Sequence, residues 1–116
     1  MTGYSSTDAD SGPTPSITGS VGAGTNPTTS IVGSDRVGQI SVLTDSDPAQ
    51  GLIATITFNS LPRNAGNFFP VFSPANVNGF ASGINARRID DSSWGVYRDN
   101  VALAATTTYV WNYFIP

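Results

Sequence analysis

The chain reads in steps of two. In Leu52-Ile53-Ala54-Thr55-Ile56-Thr57-Phe58 the set Leu52, Ala54, Ile56 and Phe58 falls on one side, and Thr55 and Thr57 on the other, with Ile53 the exception. Tyr109, Trp111 and Tyr113 alternate with Val110, Asn112 and Phe114 in the same way. Successive side chains of a strand point to opposite faces, so this alternation describes half-buried strands. Residues 39–44, 83–89 and 94–98 continue the pattern. In Phe68-Phe69-Pro70-Val71-Phe72 the proline lacks a ladder donor, which confines that strand to an edge, a bulge or a strand start. No window of eleven or more residues has a 3.6-residue period. The prediction is an all-β chain with essentially no helix, folded as a small antiparallel β-sandwich or barrel.

Turn chemistry separates these strands. Asp45-Ser46-Asp47-Pro48-Ala49-Gln50-Gly51 has a proline that fixes φ and a glycine that permits positive φ. Asn78-Gly79 is the strongest short-range hairpin signal in the chain. Asp90-Asp91-Ser92-Ser93 reads as the turn between Ile89 and Trp94.

The first thirty of the 116 residues differ from the rest. They hold six apolar residues against twenty-one Ser, Thr, Gly or Pro, whereas residues 31–116 carry eleven of the twelve aromatics. A segment of the first kind cannot offset its own ordering entropy. Residues 1–30 are therefore expected to form an extended anchoring arm ahead of a β-domain at 31–116. Tyr4, Pro13, Pro15, Ile17, Val21 and Pro27 are its candidate partner-binding residues. A small domain without disulfides is marginally stable, which makes oligomerisation a natural supplement.

Residue types narrow the chemistry. His, Cys, Lys and Glu are all absent, which removes histidine bases, thiolates, Schiff bases and Cys/His zinc sites. The expectation is a non-enzymatic chain without cofactor or metal. Its formal net charge of −3 lacks the basic footprint of a nucleic-acid binder, and no apolar run is long enough to span a bilayer. Asp45 and Asp47 resemble the start of a calcium loop, but the rest of an EF-hand loop is missing; an Asx turn is the simpler reading. Asp90 and Asp91 could likewise offer oxygens or form a turn. Arg87 and Arg88 are adjacent on a strand and face opposite ways, so one is expected inward against a carboxylate and one outward. Trp94, Tyr97, Tyr109, Trp111 and Tyr113 suit core or subunit packing, with a sugar-stacking platform as the alternative.

Four motifs in order carry a family resemblance. Gly38-Gln39-Ile40-Ser41-Val42 leads to Pro48-Ala49-Gln50-Gly51 and the strand from Leu52 to Phe58. Pro70-Val71-Phe72-Ser73-Pro74-Ala75-Asn76 and Thr108-Tyr109-Val110-Trp111-Asn112-Tyr113 follow. Residues 33–116 thereby resemble a β-domain common in virion proteins of tailed bacteriophages. Two departures are Asp45 where the family has Gly, and Leu61-Pro62-Arg63-Asn64 ahead of the proline strand. The resemblance implies a structural protein, often trimeric, assembled in the host cytoplasm and located in the virion. The leading expectation is a capsid decoration (cement) protein that binds the major capsid protein, or another virion protein, and stabilises the shell. The alternative is a tail-fibre or head-fibre tip that binds a receptor or glycan. Only thirty residues precede the domain, without heptads, collagen repeats or β-helix periodicity, which favours decoration on the capsid surface. A trimer is expected to use the aromatic strand around Tyr109, Trp111 and Tyr113.

Overall fold

Alternation along the strands gives each sheet one apolar face, and two such faces close on each other. In the computed structural model, which describes residues 13–59 and 70–115, the chain forms two antiparallel four-stranded sheets packed as a β-sandwich. The elements are β1 (Ser16–Gly19), a 3₁₀ turn (Val21–Ala23), β2 (Thr28–Gly33), β3 (Val37–Leu43), β4 (Gly51–Thr57) and β5 (Val71–Pro74). A short helix α1 (Val77–Ser82), β6 (Asn85–Arg88), β7 (Ser93–Arg98) and β8 (Thr108–Phe114) follow. The first sheet has the order β1-β4-β7-β6 and the second β2-β3-β8-β5. Phe68, Phe69 and the interruption at Leu61 to Asn64 lie outside the described residues. The proline strand becomes β5, an edge strand that begins just after Pro70, as a missing ladder donor allows.

The core follows from register. Ile31, Ile40, Trp111 and Pro74 form one row across the second sheet, and Thr29, Val42 and Tyr109 the next. Opposite them the first sheet contributes Ala54, Ile56, Trp94 and Val96, with Ile53 and Phe58 also buried. Tyr109 stacks on Trp111 at 5.9 Å, and Phe58 meets Tyr113 edge-on at 6.0 Å, both within the range favoured by aromatic quadrupoles. Buried polar tips find partners: the Tyr113 hydroxyl donates to the Ser34 carbonyl, and Trp111 Nε1 donates to the Gly79 carbonyl at 3.3 Å.

Three sequence expectations are corrected. The boundary near Ile31 falls inside β2, and residues 13–30 build sandwich. β1 pairs with β4 from Ser16↔Thr57 to Gly19↔Ala54, and Ala23 is fully buried. Thr and Ser alternate there with Ile17, Thr29 and Ile31, and β-branched threonine suits a half-buried strand even where composition suggests a linker.

Leu52 leaves the face assigned to it. A β-bulge between Leu52 and Ala54 pairs Leu52 with Tyr97 and Ala54 with Val96, so Leu52 moves to the outer face while Ile53 is buried.

Asn78-Gly79 makes no hairpin; it lies in α1. Neither residue takes the positive φ that a type I′ turn needs. The Asn76 side chain instead caps the helix, accepting from Gly79 N at 2.7 Å, and a Cβ on Gly79 would collide with the Val110 carbonyl of β8.

Candidate interaction surfaces

The loop read as an Asx turn also clamps a distant segment. Asp45 Oδ2 accepts from Asn26 N at 2.9 Å, and Asp47 Oδ1 accepts from Thr25 N at 2.9 Å, while the Thr25 hydroxyl also donates to Asp47. These bonds hold the Asp47 carboxyl below the usual carboxylate range, the Thr25 hydroxyl contributing most. Backbone bonds from Asp45 N to the Ala23 carbonyl and from Thr106 N to the Asp45 carbonyl complete the clamp. Among the described residues, no three acidic side chains gather as they would around a metal ion.

Asp90 to Ser93 form the expected turn. Ser92 N donates to Asp90 Oδ1 at 2.9 Å, which lowers the Asp90 pKa, and Ile89 N donates to the Ser93 carbonyl, closing β6 on β7. Arg87 and Arg88 do lie on opposite faces, since Arg87 shares its face with Gly95 and Arg88 with Trp94. Arg88 takes the core-facing side against a carboxylate as expected, but both side chains stay exposed, because β6 is an edge strand. Arg87 pairs with Asp99 and Arg88 with Asp91.

Of the arm residues, Tyr4 lies outside the described residues. Pro13 is exposed and Val21 is exposed on the 3₁₀ turn, so both remain available to a partner. Pro15 is buried, Ile17 packs against the core, and Pro27 is half-buried beside Gly19. Those three are engaged by the fold itself. Asn59 fastens this end: its side chain donates to the Thr14 carbonyl at 2.9 Å, and its backbone N–H donates to Asp35 at 2.9 Å.

The aromatic candidates separate sharply. Trp94, Tyr109, Trp111 and Tyr113 are buried within a single chain and fill its core. Their number therefore gives no reason to invoke a second subunit. Tyr97 alone of the five is half-exposed, on the outer face of the first sheet, and Arg87 sits 4.4 Å above its ring. A guanidinium over the ring is a cation–π contact that occupies one of the two faces a sugar would use.

Sequence reasoning missed the outer face of the second sheet. Register places Val37, Phe114 and Val71 side by side on β3, β8 and β5, with Val32 on β2 diagonal to Val37. Val32 is 63%, Val71 53% and Phe114 50% exposed. The rows behind them hold Gln39, Asn112 and Ser73, then Ser30, Ser41 and Val110. No residue of β2, β3, β5 or β8 carries a charge. The signal was present in the residues that alternate with the buried aromatics of β8: Val110, Asn112 and Phe114. Comparisons with protein families, with curated proteins and with solved structures return no match.

Proposed function

We propose that this chain is a structural protein of a tailed-phage virion, and specifically a decoration protein that binds the major capsid protein and stabilises the shell. The observation that carries this reading is that the four resembling motifs meet as one physical unit. Three of them are β3, β5 with the α1 cap, and β8, which are neighbours in one sheet; the fourth leads into β4 across the core. Their distinctive residues lock to one another. A Cβ on Gly38 would strike the Tyr113 ring, so glycine there leaves room for the aromatic at the end of the last motif. Asn76 caps α1, accepts from Val110 N at 3.2 Å and donates to the Thr108 carbonyl at 3.1 Å. Motifs that pack on one another are what a shared scaffold would require, and that is the support this reading has.

Anchoring is assigned to the first twelve residues, which lie outside the described residues, together with Pro13 and the exposed Val21. A segment of small side chains can offer its backbone groups to strand edges on a partner. Several copies on one shell raise the apparent affinity without new kinds of contact. Of the aromatic set that could have served the fibre-tip alternative as a sugar platform, four of five residues are buried.

The test uses particles that lack the chain. Adding back full-length protein is expected to raise the temperature at which heads release DNA. Protein lacking residues 2–12, which keeps β1 and the rest of the sandwich, is expected to leave that temperature unchanged and to fail to cosediment with heads. Equal protection by both proteins would remove the arm from the mechanism; protection by neither would remove the decoration reading.

A further inference from the structure

We propose that the outer face of the second sheet is a homotypic interface, which packs against the same face of a second copy of this chain around a two-fold axis. This goes beyond the virion reading and holds with or without it.

Charge is the first argument. The described arginines and aspartates lie in the loops and on the β6–β7 side of the first sheet. The four strands of the second sheet have none, and depletion of charge at the centre of a patch distinguishes interfaces from ordinary surface. A charged partner face would have to desolvate its ions here without compensation. The second copy, although each chain carries −3 overall, brings no charged strand residue to this contact, and the exposed Arg36 of the β2–β3 turn stands at its rim beside Val37. Its charged β6–β7 side stands about 10 Å away across the sandwich, near the Debye length in physiological salt.

Self-complementarity is the second. Gln39, Asn112, Ser41 and Ser73 each offer donors and acceptors, so a face made of them can satisfy a copy of itself. Gln39 Nε2 already donates to Asn112 Oδ1 at 3.0 Å, which orders the two amides and leaves further N–H and C=O groups outward. The exposed Phe114 and Val71, with Val32 diagonal to their row, supply the apolar part.

Area sets the size class of the interface. Four strands spaced ~4.8 Å apart, each up to seven residues long at ~3.4 Å per residue, give a face of roughly 400 Å² in projection. Two such faces bury about 1,000 Å² of accessible surface once side-chain relief is included, the lower end for a specific interface. The dimer should therefore be weak, with half-association at about 10–100 µM, and gain from concentration on a crowded surface.

Sedimentation velocity of the full chain from about 5 to 500 µM tests this, the range bracketing that weak-interface estimate. The expected result is a monomer that becomes a dimer across the range. Phe114→Arg and, separately, Asn112→Arg should each raise the dissociation constant at least about tenfold by placing a charge in the contact. Val77→Arg, on exposed α1 outside this face, should leave it unchanged. Circular dichroism identifies a variant that fails to fold, and Asn112, on the exposed side of β8, gives an independent reading if Phe114→Arg does. A monomer at every concentration, a dimer that both folded arginine variants form as readily as wild type, or a trimer, which an isologous contact cannot build, would overturn the proposal.

Discussion

Replacing Tyr113 by phenylalanine removes one oxygen from the centre of the molecule, and the effect should depend on pH. The ring is 1% exposed, and its hydroxyl donates to the Ser34 carbonyl across a sequence separation of 79 residues, tying β8 to the β2–β3 turn. Losing a buried hydrogen bond while a carbonyl remains costs about 1–3 kcal/mol, or roughly 4–12 °C in Tm for a domain of this size. Burial, with a smaller contribution from the Asp35 carboxylate, pushes the Tyr113 pKa up to about 12. The folded state thus holds the phenolic proton more tightly than the unfolded chain. Its stabilisation is fully present below pH 10 and is lost as pH rises from 10 through 12. At pH 11 the wild type should have lost on the order of 1 kcal/mol through this residue, a loss Tyr113→Phe cannot suffer. Urea denaturation of both proteins at pH 7 and pH 11 measures the difference. The gap in unfolding free energy should shrink by about that amount at pH 11. A gap that stays constant or widens would show that the hydroxyl is not confined as described.

Trp111→Ala should destabilise by about 3–5 kcal/mol, since the indole is buried and its neighbours cannot close the cavity; an effect below about 1 kcal/mol would contradict its place in the core. Asn76→Ala should cost about 1–2 kcal/mol by removing the α1 cap and the bonds to β8, and Asn76→Asp should recover part of that through its acceptor oxygen, both read by thermal melting. Asp47→Ala should speed proteolysis at residues 25 and 26 at neutral pH. Because the folded carboxyl titrates below its unfolded value, its stabilisation is present above about pH 4 and is lost as pH falls through the folded pKa. Wild type and variant should therefore converge in acid.

The strands that alternate cleanly were legible. β4, β7 and β8 lie within one residue of their expected bounds at most ends, and the Asp90 to Ser93 turn closes β6 on β7 as its residues suggest. What escaped depends on partners distant in sequence. Ser16–Gly19 becomes a strand because β4 offers it a free edge, and nothing within residues 1–30 announces that edge. Asn78-Gly79 has ideal hairpin chemistry locally, but Asn76 and the Val110 carbonyl favour a helix pressed against β8. The bulge that exchanges Leu52 with Ile53 is a property of two paired strands, invisible in either alone. The same holds for the surface. Trp111 and Tyr113 drew attention as large aromatics and proved to be core, whereas the uncharged face emerges only when β2, β3, β8 and β5 are laid side by side.

Immunogold electron microscopy of intact particles, with antibody raised against the folded chain, tests the virion assignment most directly. Label distributed over the head and lost from particles that lack the protein is the predicted result. Label confined to the tail or fibre tips, or none on particles whose host lysate contains the chain, would contradict it.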